Sequence, residues 1–145
     1  MTVRRIERKG EIRYEEAVVA SFKLYPGMLV KLNSSGKLIA HNVEGGYAER
    51  CVLLEDALQG KTVNDAYTTG AVASYAVLTP GSEFNGLLKM GQNVGIGDYL
   101  ISAGDGTFKA LSGATSSDAV RQVIAVAVEA VNASSANTLC AMRVL

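Results

Sequence analysis

The chain has 145 residues, which is enough for one domain with a substantial core and no need of metals or disulfides. Fourteen basic residues balance fourteen acidic ones, so the formal net charge at pH 7 is zero. This balance argues against nucleic acid or an anionic membrane as a partner, because such binding depends on clustered positive charge. It favours packing against other protein subunits.

The N-terminus has no apolar signal-peptide core, and the longest apolar stretches fall well short of the ~20 residues that a membrane-spanning helix needs. We therefore expect a soluble protein made in a cytoplasm. The two cysteines, Cys51 and Cys140, lie far apart within apolar runs. That placement is typical of small buried side chains in a reducing compartment, and a disulfide is the secondary interpretation.

The first 16 residues are strongly charged, with nine Arg, Lys and Glu side chains among them. A segment this polar buries too little apolar surface to order itself. We interpret residues 1–16 as an extended N-terminal arm that becomes ordered on a partner, and residues 17–145 as a single β domain. A ragged terminus without a role is the alternative.

From residue 17 onward the pattern is that of short strands separated by dense Gly, Pro, Asn and Ser turns. This predicts an all-β fold, a small β-barrel or β-sandwich of mostly antiparallel strands with at most one or two short helices. The predicted strands are residues 17–22, 28–32, 51–54, 71–78, 99–101 and 123–128. A short helix or structured loop is expected within residues 54–67, and another helical turn is possible at 116–120.

Two segments have matching patterns, residues 27–40 and 97–110. Each has two glycines nine residues apart, apolar residues after the first glycine, and an apolar residue followed by Ala after the second. Both segments predict a hairpin in which glycine supplies the positive φ of the turn. Chance similarity between two hairpins is the alternative to a true repeat.

Residues for catalysis are scarce. The single histidine, His41, has no nucleophile or orienting group nearby in sequence, so we interpret it as a surface or loop residue. Asp98 and Asp105 lack the alternating oxygen ligands of a calcium loop and are interpreted as turn residues. The glycines between residues 91 and 106 are likewise assigned to turns rather than to a nucleotide loop. The sequence thus predicts no enzymatic activity, no cofactor and no metal.

Residues 25–145 resemble the capsid decoration (cement) proteins of tailed bacteriophages. A Gly-Asp-x-Leu…Gly-Asp-Gly-Thr hairpin at 97–107 and a Leu-Glu-Asp…Gly-Lys-Thr-Val-Asn-Asp-Ala-Tyr stretch at 54–67 carry much of the likeness. The remaining similar segments are residues 26–33 with 36–38, 48–50, 91–96 and 123–130. The first 16 residues show no clear motif of that family.

The resemblance implies a structural virion protein, made in the bacterial host cytoplasm, that binds the outer capsid surface. It implies a homo-oligomer, with a trimer favoured, whose major capsid protein partners are locked together, and an N-terminal arm that reaches a neighbouring subunit. Strand addition by such an arm would use both apolar anchors and basic partners for capsid carboxylates. These candidate binding residues are Val3, Arg4, Arg5, Ile6, Arg8, Lys9, Ile12 and Arg13.

Two other functions are open. One is a receptor- or glycan-binding module of a phage fibre or head appendage, which would need an exposed aromatic cluster. The other is a tail-associated hydrolase, which would need a cleft with a constellation centred on His41.

Overall fold

The structure, a computed structural model, describes residues 4–20, 23–111 and 122–145. Within these ranges the chain is built almost entirely of strands. The strands are β1 (Glu7–Lys9), β2 (Ile12–Val18), β3 (Val30–Leu32), β4 (Leu38–Ala40), β5 (Cys51–Leu53), β6 (Val72–Leu78), β7 (Glu83–Leu88), β8 (Asn93–Val94), β9 (Tyr99–Ser102), β10 (Phe108–Ala110), β11 (Ala125–Ala127), β12 (Val131–Asn132) and β13 (Thr138–Val144). The all-β prediction is confirmed.

Five strands close into a barrel in the order β7-β10-β9-β11-β13, with β13 pairing back to β7. The pairings are antiparallel except that of β10 with β7, which is parallel. Closure leaves these strands without an open edge over their paired lengths, so their backbone polar groups are satisfied inside the barrel wall. Of the two architectures predicted, the barrel is the one formed.

The barrel interior is filled by large apolar side chains and by one close backbone approach. Phe84 and Phe108 are both fully buried, and their ring centroids lie 5.7 Å apart. Gly86 in β7 allows the tight packing there, because a Cβ at this position would come within 2.6 Å of the Met142 sulfur. Glycine therefore interrupts the sequence pattern of β7 for a packing reason.

The other strands form smaller sheets against the barrel. A three-stranded sheet has the order β2-β6-β5, β3 pairs with β4, and β8 pairs with β12. The bridge between Leu29 and Val52 connects the β3–β4 hairpin to the three-stranded sheet. Buried side chains of all these parts join the barrel residues in one continuous core.

Both predicted hairpins are present. β3 and β4 pair antiparallel, as do β9 and β10. The second glycine of each segment, Gly36 or Gly106, has positive φ, 73° and 87° respectively. The hairpin interpretation of the two segments is confirmed, and glycine has the conformational role expected of it.

The N-terminal segment, defined here as residues 4–16, differs from the extended arm expected for residues 1–16. β1 pairs with β7 of the barrel, and β2 pairs with β6 over its full length. Ile6 has no exposed surface. The segment has too few apolar residues to fold alone, but β6 and β7 offer it backbone partners and a core to enter. The boundary at residue 16 falls inside β2, so residues 4–16 are part of the β domain.

The remaining expectations have mixed outcomes. Residues 54–67 contain one short 3₁₀ helix, Ala57–Gln59, in an otherwise irregular loop, as predicted. The possible helical turn at 116–120 lies outside the described residues. The strand predicted at residues 17–22 corresponds to β2, which lies nearer the N-terminus, at Ile12–Val18. Strands β7 and β13 were not predicted. Across the described ranges, no helix is long and apolar enough to cross a membrane.

Candidate interaction surface

The first residues of the N-terminal segment are held by Asn85 in barrel strand β7 and by Glu55 in the loop after β5. Asn85 donates to the Arg5 carbonyl at 2.6 Å, and its own backbone N–H donates to the Ile6 carbonyl at 2.7 Å. The Ile6 N–H donates to the Glu55 carboxylate at 3.0 Å. These bonds set the Ile6 side chain into the core, so Ile6 serves the chain's own fold rather than a partner.

Arg4 also holds the N-terminal segment in place, through an ion pair with Glu129. The Arg4 guanidinium pairs with the Glu129 carboxylate, which also accepts the Ala141 N–H at 2.9 Å. Burial by itself would raise the pKa of Glu129. The hydrogen bonds from Arg4 and Ala141 and the nearby positive charges outweigh burial and hold that pKa below its ordinary value. Arg4 is therefore already engaged within the chain.

A basic cluster lies on the outer side of β1, β7 and β13. We define it as Arg8, Lys9 and Arg143 around Glu83. Lys9 and Arg143 lie opposite Glu83 on its two neighbouring strands, and all three cations come within 3.5–4.0 Å of its carboxylate. Glu83 is largely buried, whereas the cations expose 37–70% of their side chains. One carboxylate balances only one of three positive charges, so the cluster presents positive charge to solvent.

The other predicted arm residues are dispersed. Arg5 is highly exposed and pairs with Glu7 at 2.8 Å, and Arg13 pairs with Glu15 on the same strand at 3.4 Å. Ile12 is partly buried and packs against the core. Val3 lies outside the described residues. The structure thus brings Arg8 and Lys9 together, with Arg143, which sequence reasoning missed because it lies 134 positions after Lys9.

His41 lies in a loop, as expected, but it is buried rather than at the surface. Its Nδ1 lies 2.6 Å from the Ser102 hydroxyl, and its Nε2 lies 2.9 Å from the Tyr47 carbonyl. A carbonyl only accepts, so Nε2 carries the proton and Nδ1 accepts from Ser102. The Gly104 N–H donates to the same hydroxyl at 3.1 Å.

This arrangement pairs a serine with a histidine, but it serves as a structural hydrogen bond inside the protein. Ser102 has no exposed surface, so a substrate in solution has no access to its hydroxyl oxygen in this state. The partner of the other imidazole nitrogen is a backbone carbonyl, where a catalytic triad uses a carboxylate. The hydrogen bond between His41 and Ser102 links the loop after β4 to barrel strand β9.

Asp98 and Asp105 are turn residues, as predicted. Asp98 accepts the Gly95 N–H at 2.8 Å, and Asp105 accepts the Thr107 N–H at 3.0 Å. In residues 4–20, 23–111 and 122–145, no group of three or more His, Cys, Asp and Glu side chains converges as a set of metal ligands.

Both cysteines are free and buried, so the burial predicted from their apolar neighbours is confirmed. Burial raises the pKa of both thiols, Cys51 and Cys140, to about 12. The thiols are therefore protonated at neutral pH and poorly nucleophilic.

A mostly apolar cleft of about 440 Å³ lies between the β3–β4 hairpin and the β9–β10 turn. Its lining includes Met28, Ile39 and Ala40, with Lys23 and Asp105 as its charged members. It contains neither His41 nor a cysteine, so it does not form the His41-centred cleft that a hydrolase would need.

Comparison with known proteins gives a relationship at the level of fold. No protein-family model matches the chain, and no curated protein matches it significantly in sequence. Among solved structures, the chain is similar to the N base of the head fiber protein gp8.5 of bacteriophage phi29, with a TM-score of 0.59 and 12% identity. The match covers 93% of this chain and 95% of that one. At this identity the likeness shows a shared fold.

Proposed function

We propose that the chain is a structural protein of a phage head. In this role it binds the outer capsid surface and stabilises contacts between major capsid protein subunits, without catalysis. The observation that carries the proposal is the fold shared, over almost the whole chain, with the base of a phage head fiber. The sequence segments that resemble capsid decoration proteins favour the same assignment.

The basic cluster is the proposed contact with the capsid. Arg8, Lys9 and Arg143 carry more positive charge than Glu83 balances, and they are fixed on strands rather than on loops. A rigid cationic surface loses little entropy on binding and suits carboxylates on a capsid subunit. The contact with the capsid that was expected of an extended arm is thus assigned to ordered strands.

Self-association belongs to the proposal, because a protein with zero net charge has little long-range repulsion between its copies. The resemblance implies a trimer, and that stoichiometry rests on the resemblance alone. The proposed location is the virion, on the outside of the head, after synthesis in the bacterial host.

The test is co-sedimentation of the purified protein with heads of its own phage that lack it, comparing mature and immature heads. We expect binding to mature heads and a higher temperature of head disruption when the protein is bound. Removing two charges with Arg8→Gln and Lys9→Gln should weaken binding on the order of tenfold while the protein stays folded.

The matched control removes two exposed positive charges elsewhere, with Lys37→Gln and Lys61→Gln. This variant should bind heads as the unchanged protein does. Absence of binding by the unchanged protein would refute the capsid role. Equal loss of binding in both double variants would show that net charge, not the basic cluster, determines binding.

A second candidate function is the base of a receptor- or glycan-binding appendage, favoured by the fact that the similar solved structure is itself a head fiber base. Three tyrosines, Tyr25, Tyr47 and Tyr99, expose 39–75% of their surface and could supply stacking platforms for sugars. Binding to a glycan array with no binding to heads would favour this function over capsid stabilisation.

A further inference from the structure

Within residues 4–20, 23–111 and 122–145, no strand pairs with β2 on the edge that faces away from β6. The Val19 N–H donates to the Ala71 carbonyl at 2.8 Å, which fixes the phase of hydrogen bonding between β2 and β6. In an antiparallel ladder this phase alternates, so the backbone groups of residues 13, 15 and 17 face β6. Those of residues 12, 14, 16 and 18 face outward.

The neighbouring pair of strands agrees with this phase. The Leu54 N–H donates to the Ser74 carbonyl, and the Leu78 N–H donates to the Arg50 carbonyl, at 3.0 and 2.9 Å. The backbone groups of the even-numbered residues of β6 therefore hydrogen-bond to β5, and those of the odd-numbered residues hydrogen-bond to β2. In the described part of the chain, β6 is the only strand paired with β2, so the outward backbone groups of residues 12, 14 and 16 have no strand partner. Val18 lies beside the bridge between Val19 and Leu38 and is already engaged on that side.

The stretch from residue 12 to residue 16 is long for an unpaired edge. β2 has seven residues, continuous register with β6, no proline and no lysine. Proteins normally block such an edge with short length, proline, charged side chains or a bulge, because it can pair with another chain. The charged residues of β2, Arg13, Glu15 and Glu16, are of both signs, so they can pair as well as repel. The edge becomes covered at the end of β2, where Val19 bridges Leu38 and the Ala20 N–H donates to the Leu38 carbonyl at 3.0 Å. The sequence of β2 thus leaves one side of the three-stranded sheet available for pairing.

The charges on β2 favour pairing with a second copy in a register centred within the strand. Two copies of β2 related by a twofold axis would pair antiparallel, and an axis at residue 13, 15 or 16 would place like charges opposite each other. An axis at Tyr14 places Tyr14 opposite Tyr14 of the second copy, and Arg13 opposite Glu15 of the second copy. Opposite charges directly across a ladder stabilise pairing, and like charges destabilise it.

We propose that β2 is a homodimerisation edge, on which a second copy of this chain adds its own β2 antiparallel about a twofold axis at Tyr14. Arg13 and Glu15 expose 71% and 46% of their side chains and are free to turn from each other to the second copy. Tyr14, 56% exposed, adds an aromatic pair at the axis. The ladder would contain about six backbone hydrogen bonds, two for each outward-facing residue pair.

This inference does not rest on the capsid role, and it gives a dimer where the resemblance implies a trimer. The test uses the full chain in analytical ultracentrifugation at concentrations of tens of micromolar, with Arg13→Glu and Glu15→Arg as single variants. Each variant places like charges across the axis, so we expect its dimer dissociation constant to rise about tenfold or more. An equimolar mixture of the two variants should form a heterodimer, because each then offers the charges that the other lacks.

Tyr14→Pro tests the backbone contacts separately. Because the Tyr14 N–H faces outward, proline removes a bond of the dimer and none to β6, and proline is tolerated on sheet edges. Tyr14→Ala keeps the N–H and should dimerise more tightly than Tyr14→Pro. A monomer or a trimer for the unchanged chain would overturn the inference, as would a single-charge variant that dimerises as well as the unchanged chain. Head binding measured on the same variants reports the proposed function independently.

Discussion

The barrel and the three-stranded sheet that contains β2 differ in whether their strands have unpaired edges. In the barrel every strand is paired on both sides, and its backbone groups bond to neighbouring strands. In the three-stranded sheet β6 has two neighbours, while β2 has one among the described strands, and its residues 12, 14 and 16 direct their backbone donors and acceptors away from β6. The comparison teaches that closure provides stability and leaves little for a partner, whereas an unclosed sheet provides a site for association.

β1 belongs with the barrel in this comparison, although the sequence places it in the same charged segment as β2. It pairs with β7, and the preceding residue, Ile6, has no exposed surface. The division between the two regions therefore runs between β1 and β2, at the turn that contains Gly10. Gly10 has a φ of 102° and lies so close to Ser82 that a Cβ would come within 2.9 Å of the Ser82 Cα.

The largest expected effect tests whether residues 4–9 are part of the barrel. Ile6→Ala removes a fully buried side chain and leaves a cavity, so it should lower the free energy of unfolding by about 2–5 kcal/mol in denaturant titration. The control is Ile96→Ala, because Ile96 is 75% exposed and its truncation should change stability by less than about 0.5 kcal/mol. Equal, small effects would mean that the N-terminal segment is detached in solution, as an arm would be.

An intermediate effect tests the link between the barrel and the loop after β4. Ser102→Ala leaves the His41 Nδ1 and the Gly104 N–H without their partner in a buried place, so unfolding should become easier by about 1–3 kcal/mol. Thermal unfolding of this variant and of Ser34→Ala, at an exposed hairpin position, measures the difference. No loss of stability in Ser102→Ala would show that the two parts hold together without this bond.

The smallest effect concerns the ion pair that fastens the start of the chain. The pKa of Glu129 is depressed in the folded state, so its ionised form contributes stability above its ordinary pKa of 4.5, and this is lost as the pH falls through the folded pKa. Arg4→Met should cost ~0.5 kcal/mol at pH 7, since about a third of each side chain faces water, and less at pH 3.

Denaturant titration at both pH values measures that cost, with Arg5→Met as the control because the Arg5 side chain is 76% exposed. An Arg4→Met cost that is the same at pH 3 and pH 7 would contradict the role of this pair. Together the three variants show how firmly the N-terminal segment and the hairpin loop are joined to the barrel.

Several features could be predicted from the sequence because they depend on local patterns. β-branched runs between turn residues predicted the fold class, and paired glycines predicted the two hairpins, since turn geometry depends on nearby residues. The apolar neighbours of Cys51 and Cys140 predicted their burial. β7 was missed because Asn85 and Gly86 weaken its pattern, although Gly86 is required by the approach of Met142.

The sequence by itself determined that the chain forms short strands, where it turns, and which side chains are apolar enough to enter a core. Only the tertiary structure decided that residues 4–16 pair with β6 and β7, that His41 meets Ser102, and that Arg143 joins Arg8 and Lys9. Each of these contacts joins residues at least 58 positions apart in the chain. The physical reason is that a strand's identity is a local property, whereas its partner is whichever distant strand needs its hydrogen bonds and has room for its side chains.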